Sequence, residues 1–317
     1  MTRVRELSGV RSSAKGVRPG FTLVEILAVI GIIGLLAAAT LVALGGTRGF
    51  FRSVTAKARL DDVSQALELY KQKYGEYPPD CNATDAEIQR HILKRWPKVL
   101  KAGNVKAMVG YARDEMHRAP GSAPLFWLAG RTLVKLDESD PSSPLVFVTA
   151  PVAGGGPEVP VYEGFYADPV DPFGITAPGS EQSRDEPLID VVYDSEGSGR
   201  GNYNENGFCF NGQPMAYFRA GKDGYAGKGY CAEAFGIEEG TEGGDAMPYM
   251  KNGRWYNPKT FQLILPGADG QFGLDFEMHQ GDEPLVRDLA LPDTMSSFDW
   301  DNLTNFTEGA TLDSEKD

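Results

Sequence analysis

Histidine and cysteine are scarce in this chain, and neither is spaced for chemistry. The three histidines, His91, His117 and His279, stand far apart. There is no His-Glu-x-x-His pair to hold a catalytic zinc, no Gly-x-Ser-x-Gly elbow to present a nucleophilic serine and no Gly-x-x-x-x-Gly-Lys loop to cradle phosphates. The three cysteines, Cys81, Cys209 and Cys231, lack the Cys-x-x-Cys spacing of zinc sites and thioredoxin-like centres. Basic charge is also short: 31 Lys and Arg against 44 Asp and Glu leave a formal net charge of −13, with the basic share concentrated at the N-terminus. A phosphate-binding surface needs a basic patch, so this balance argues against nucleic acid as a partner. Carboxylates are so abundant that their proximity in sequence says nothing of glycosidase-like chemistry. The expectation is a protein that is not an enzyme.

What is present fits an ordinary globular body. The 317 residues suffice for one sizeable domain or two small ones, and 38 Gly and 21 Pro point to a loop-rich body containing β-structure. An acidic body suits solubility outside the cytoplasm, or divalent cations. Cys209 and Cys231 flank a Gly-rich stretch and would pair sensibly in an oxidising compartment, leaving Cys81 odd; three buried thiols is the alternative.

The N-terminus carries the strongest signal. Residues 1–20 hold Arg3, Arg5, Arg11, Lys15 and Arg18 against Glu6 and end in Arg18-Pro19-Gly20. From Phe21 to Leu44 the chain is then apolar or small at nearly every position, long enough as a helix to cross a bilayer core of about 20 residues. The basic flank holds the leader in the cytoplasm and sends the body out. A secretory signal peptide places its apolar region before the cleavage site. Here the order is reversed, so a cut after Gly20 leaves the apolar helix on the mature protein. Within that run Glu25 is out of place: an ionised acid there costs roughly 2.5–3.5 kcal/mol on insertion scales and needs a partner, a task, or a route to the headgroups.

The string Gly20-Phe21-Thr22-Leu23-Val24-Glu25 before an apolar helix resembles the leader junction of the type IV pilin and type II secretion pseudopilin family. The resemblance implies cleavage by prepilin peptidase between Gly20 and Phe21, N-methylation of Phe21, and Glu25 as the retained acid that pairs with a neighbouring subunit's Phe21 amine. Pro19 stands where the family more often has a basic or small residue. No proline lies near Val42 to loosen the helix, so local unwinding would have to use Gly45-Gly46.

Beyond the apolar run, Leu60, Val63, Leu67, Tyr70 and Tyr74 recur at three-to-four spacing and mark one helical face. Gly75 and Pro78-Pro79 should end the helix. The expected fold is α+β and pilin-like: a long helix over 21–75, its membrane-spanning half at 21–44 and its amphipathic half packed on a small antiparallel β-sheet. The expected divisions are a leader at 1–20, that helix, and an extracytoplasmic globular domain at 76–317. Residues 85–101 and 103–117 read as helices broken at Trp96-Pro97, so 83–118 is taken as a helical insertion. Strand-like runs lie at 126–136, 145–149, 188–193, 215–218 and 261–265. Tyr166 to Gly174, ending Asp171-Pro172-Phe173-Gly174, is similar to the Leu-Pro-x-Asp-Pro-Trp-Gly stretch of the major type II pseudopilin.

Region 261–306 resembles that pseudopilin's calcium loop. Gly267-Ala268-Asp269-Gly270 and the later Asp299-Trp300-Asp301-Asn302 are the matching segments, with Asn302 where the family more often has Asp. The resemblance implies calcium held by Asp269, Asp299, Asp301 and Asn302 from two chain segments, as an ion wanting six to eight oxygens requires. The stretch between the segments is longer than in the relatives, and a pair of solvated acidic turns is the plain alternative, since Asp-Gly is a common turn dipeptide. A second segment, 194–205, has oxygen-bearing residues at EF-hand spacing but no flanking helices, and reads better as a polar turn.

The resemblance implies a fibre subunit, single-pass in the inner membrane with its body in the periplasm or on the cell surface. Its partners would be copies of itself, other pseudopilins, prepilin peptidase and the inner-membrane assembly platform. A pilin-anchored surface binding or adhesion protein is the alternative.

Overall fold

The computed structural model describes residues 23–118, 121–130, 134–136, 145–147, 149–150, 159–175, 183–194, 201–204, 207–222, 224–225, 246–273, 287–291, 294–297, 299–309 and 311–316; of these, the side chains of 25, 35–52, 102, 134–136, 145–147, 149–150 and 159–160 are not described. The chain forms two compact units, 1–50 and 51–317.

Helix α1 runs Leu23–Tyr74. In the second unit its expected inward face is buried: Leu60, Val63, Leu67 and Tyr70, with Ala56 and Ala66 beside them. Asp61, Asp62, Gln65 and Gln72 look outward. The helix stops where the sequence said it would: Gly75 takes the left-handed conformation (φ 83°), its N–H bonds the Lys71 carbonyl, and Lys71 and Lys73 oppose the helix dipole.

The region expected to be a helical insertion contains α2 (Asp85–Arg95), a 3-10 turn (Pro97–Ala102) and α3 (Val105–Met116). Thr84 and Glu87 cap α2 reciprocally, each side chain accepting the other's backbone N–H, and Pro97 forces the break after Trp96. A further helix, α4 (Ser122–Ala129), is buried at every residue. This corrects the strand-like reading of residues from 126. A segment apolar all round has no period to read, and Pro124 sits in the first turn, where a missing N–H costs nothing. Gly–Gly contacts dock both ends of α4: Gly121 bridges Gly207, and Gly130 bridges Gly164.

The strands are short and fall into several small sheets. Two antiparallel pairs, β1 (Val134–Leu136) with β2 (Leu145–Phe147) and β3 (Thr149–Ala150) with β4 (Val159–Pro160), come first. Then β5 (Tyr203–Asn204), β6 (Gly207–Phe210) and β7 (Gln213–Pro214) form a meander. The expected run at 188–193 is no strand and contributes a single bridge at Tyr193. The runs at 215–218 and 261–265 pair as β8 (Ala216–Arg219) and β11 (Phe261–Leu265), with β13 (Leu303–Thr304) on the other side of β11, all antiparallel. In the remaining sheet β9 (Tyr249–Lys251) pairs antiparallel with β10 (Arg254–Trp255) and parallel with β12 (Arg287–Asp288).

β11 lies at the centre of the core. Its alternate residues Phe261, Leu263 and Leu265 join the cluster that holds the α1 face and α2–α4, while Ile264 joins a second cluster with Phe218, Tyr249 and Phe272. Both faces are covered, which is why the strand reads as an unbroken apolar run apart from Gln262, whose amide bonds the backbone of Tyr249 and Tyr256. Lys57 ties α1 to the end of β13 by donating to the carbonyls of Thr304 and Thr307.

Of the two readings left open, neither a Cys209–Cys231 bridge nor three buried thiols is what forms. Cys81 is disulfide-bonded, whereas Cys209, on β6, is a buried thiol outside any disulfide. Spacing along a Gly-rich stretch could not reveal that β6 turns Cys209 into the core. Cys231 lies outside the described residues.

Candidate functional site

Gly20 and Phe21 lie outside the described residues, and of Glu25 the helical backbone alone is described. Around Glu25 the described side chains of α1 are exposed: Leu23 is 76 % exposed, Ile30 59 % and Ile33 59 %, with Val24, Ile26, Leu27, Val29 and Ile32 between them. Such a stretch cannot remain bare in water, since covering one such side chain is worth about 1.5–3 kcal/mol. It can enter lipid or pack against other helices. Among the described residues no helix is long and apolar enough to cross a membrane; the side chains of 35–52 are not among them.

The two halves of the C-terminal acidic region do meet. β13 pairs with the end of β11, and the loop that follows β11 is pinned by the loop that precedes β13. Gly267 N–H donates to Asn302 Oδ1 (3.2 Å), and Asp301 Oδ2 accepts from the N–H groups of Ala268 (2.7 Å) and Asp269 (3.3 Å). Gly267 is required at this approach, because a Cβ there would stand 2.0 Å from the Asp301 carboxyl carbon. Asp269 Oδ1 accepts from Gln271 N–H within its own turn.

Two of the four expected calcium ligands have their side-chain oxygens engaged by the protein itself. Asp299 is buried, and both its oxygens are committed: Oδ1 to the Arg287 guanidinium (3.0 Å) and Tyr249 hydroxyl (2.8 Å), Oδ2 to the Ser296 N–H and hydroxyl (2.7 Å each). Asn302 Nδ2 donates to the Tyr249 hydroxyl and to the Phe272 carbonyl, and its Oδ1 accepts from Gly267 N–H. Asp301 Oδ1 is a buried oxygen with no hydrogen-bond partner; burial, then the neighbouring charge of Asp269, pushes this carboxyl up from its ordinary pKa. Among the described residues no three of His, Cys, Asp and Glu gather to hold a metal ion. As arranged, Asp299 and Asn302 have their side-chain oxygens taken up by protein partners. Segment 194–205 lies partly outside the described residues.

Asp171-Pro172-Phe173-Gly174 forms a tight turn. Asp171 accepts Ile175 N–H, Gly174 has φ 60°, and Phe173 is buried against Trp96, Phe126 and Phe165. The turn thus packs against the end of α2 and against α4.

Sequence reasoning missed one buried polar chain. Arg95 donates to Tyr70 Oη (3.0 Å), Tyr70 Oη lies 2.7 Å from His91 Nε2, and His91 Nδ1 lies 2.8 Å from Glu76 Oε1. Glu76 also meets Arg90, Lys94 and Arg219. The chain locks the insertion to α1. Its available signal was Tyr70 on the apolar face of α1, a hydroxyl that has to find a partner once buried.

Comparison with known proteins bears on the N-terminus. Residues 18–41 match the family model described as the prokaryotic N-terminal methylation motif, which spans the Gly20-Phe21 junction and Glu25. No curated protein and no solved structure matches the chain.

Proposed function

We propose, from the premise that the chain is a type IV pilin-like precursor bearing the prepilin-type methylation motif, that it is a structural subunit of a type II secretion or type IV pilus-like fibre. Prepilin peptidase cuts between Gly20 and Phe21, Phe21 becomes N-methylated, and the mature helix anchors the protein in the inner membrane with its body outside the cytoplasm. Glu25 then pairs with the Phe21 amine of a neighbouring copy as subunits assemble on the membrane platform. In low dielectric each charge is costly alone and the two stabilise each other when they meet, so the pair sets register between subunits.

The observation that carries this reading is the motif match at 18–41, with its acid inside a helical stretch whose described apolar side chains have no cover of their own. The disulfide at Cys81 supports an oxidising compartment for the body. The insertion of α2 and α3 enlarges that body and favours a second reading, in which the same anchor displays a binding or adhesive surface.

The test of processing is direct. The full chain is expressed with a prepilin peptidase, and the mature protein is examined by N-terminal sequencing and intact mass. The expected product begins at N-methylated Phe21; an uncut Met1, or a cut inside the apolar run, contradicts the reading.

A further inference from the structure

A backbone carbonyl and a carboxylate arriving from two chain segments are the oxygens a hard cation would seek. Here the pair is the Phe272 carbonyl and the Asp299 carboxylate, and a cation of the chain's own already bridges them. Arg287 Nη1 donates to Phe272 O at 2.7 Å and stands 3.0 Å from Asp299 Oδ1. The arginine side chain is 5 % exposed and the aspartate 1 %. The guanidinium lies against Gly273, where a Cβ would be 2.3 Å from Nη2 and where φ is 152°, so a glycine is needed for the arginine to enter. Asn302 Nδ2 adds a second donor to Phe272 O (2.8 Å), and Tyr249 Oη a second donor to Asp299 Oδ1 (2.8 Å).

We propose that Arg287 supplies the positive charge that closes the C-terminal loop, holding 266–273 onto 299–304, and that this closure is independent of calcium. Arg287 belongs to the stretch of chain between the two acidic segments, so that stretch also delivers the internal cation. A metal at the same oxygens would have to expel a guanidinium and an amide already facing them. Both contacts are made by Nη1, whose two N–H groups can serve the two acceptors while the rest of the planar, permanently charged guanidinium lies beside Gly273. Closure of this loop is a property of the C-terminal region alone and stands whether or not the protein forms fibres.

The test compares thermal unfolding and amide exchange of the full-length protein in detergent, with excess calcium and with a chelator. Wild type is expected to show the same midpoint in both. Arg287→Met is expected to lower the midpoint and to speed exchange of the Gly267 and Ala268 amides about tenfold or more, with no rescue by calcium. If Arg287→Met does not fold, Arg287→Lys is read in the same way, with a smaller rise in exchange expected. A wild-type midpoint raised by calcium, or exchange at these amides unchanged in the arginine variants, overturns the proposal.

Discussion

His91 Nδ1 lies 2.8 Å from Glu76 Oε1, joining the first helix of the insertion to the turn that follows the end of α1. The imidazole is buried, and burial lowers its pKa to about 4, against the opposing pull of Glu76. Glu76 is itself held down to about 2, first by the His91 hydrogen bond, and so remains ionised.

Stability should therefore depend on pH through His91. The unfolded chain takes up a proton near pH 6.5, whereas the folded chain refuses it until about pH 4. The contribution is fully present above the unfolded value and is lost as pH falls through that window, by up to about 3 kcal/mol. Asp80 works in the opposite direction: burial raises it to about 6, so its contribution is lost as pH rises from its ordinary 3.8 through 6. Urea denaturation of wild type and His91→Gln cancels the Asp80 part. The difference between the two proteins should shrink as pH falls from about 7 to about 4.5, and a constant difference would deny His91 this role.

Glycine contacts at the ends of α4 make a second prediction. Gly130 has φ 90°, and a Cβ on it would meet Gly164 Cα at 2.2 Å. Gly130→Ala should cost about 2–4 kcal/mol, combining backbone strain with overpacking. Gly103→Ala serves as the control, with φ 73° but nothing within 4 Å, and should cost about 1 kcal/mol. Chemical denaturation measures both, and equal losses would show that the Gly130–Gly164 approach is not tight.

How much of this was legible follows from what repeats along the chain. The α1 face from Leu60 to Tyr70 could be read because a helix against a core prints its period, and the stop at Gly75 because glycine reaches positive φ without cost. β11 could be read because its residues are buried on both sides. The helix at Ser122–Ala129 could not, having neither a polar face nor an alternating one. At the acidic loop, resemblance identified the segments that meet but not the partner of Asp299, because Arg287 reaches it through folding and not through spacing.

The cysteines give a third prediction. Cys81 should be recovered disulfide-linked from protein made in an oxidising compartment, and Cys209 as a thiol that alkylates only after unfolding. Cys81→Ser should cost about 2–4 kcal/mol. Cys209→Ser should leave the non-reducing peptide map unchanged. A disulfide-linked Cys209 peptide from native protein would contradict the assignment.

Glu25 is an acid within an apolar helix and the partner proposed for the Phe21 amine of the next subunit. The direct measurement uses Glu25→Leu in a host with a working assembly system, following leader cleavage and the yield of sheared fibre together. Cleavage is expected to proceed while the variant is lost from the fibre fraction. Wild-type fibre yield from a fully cleaved Glu25→Leu protein would contradict the account.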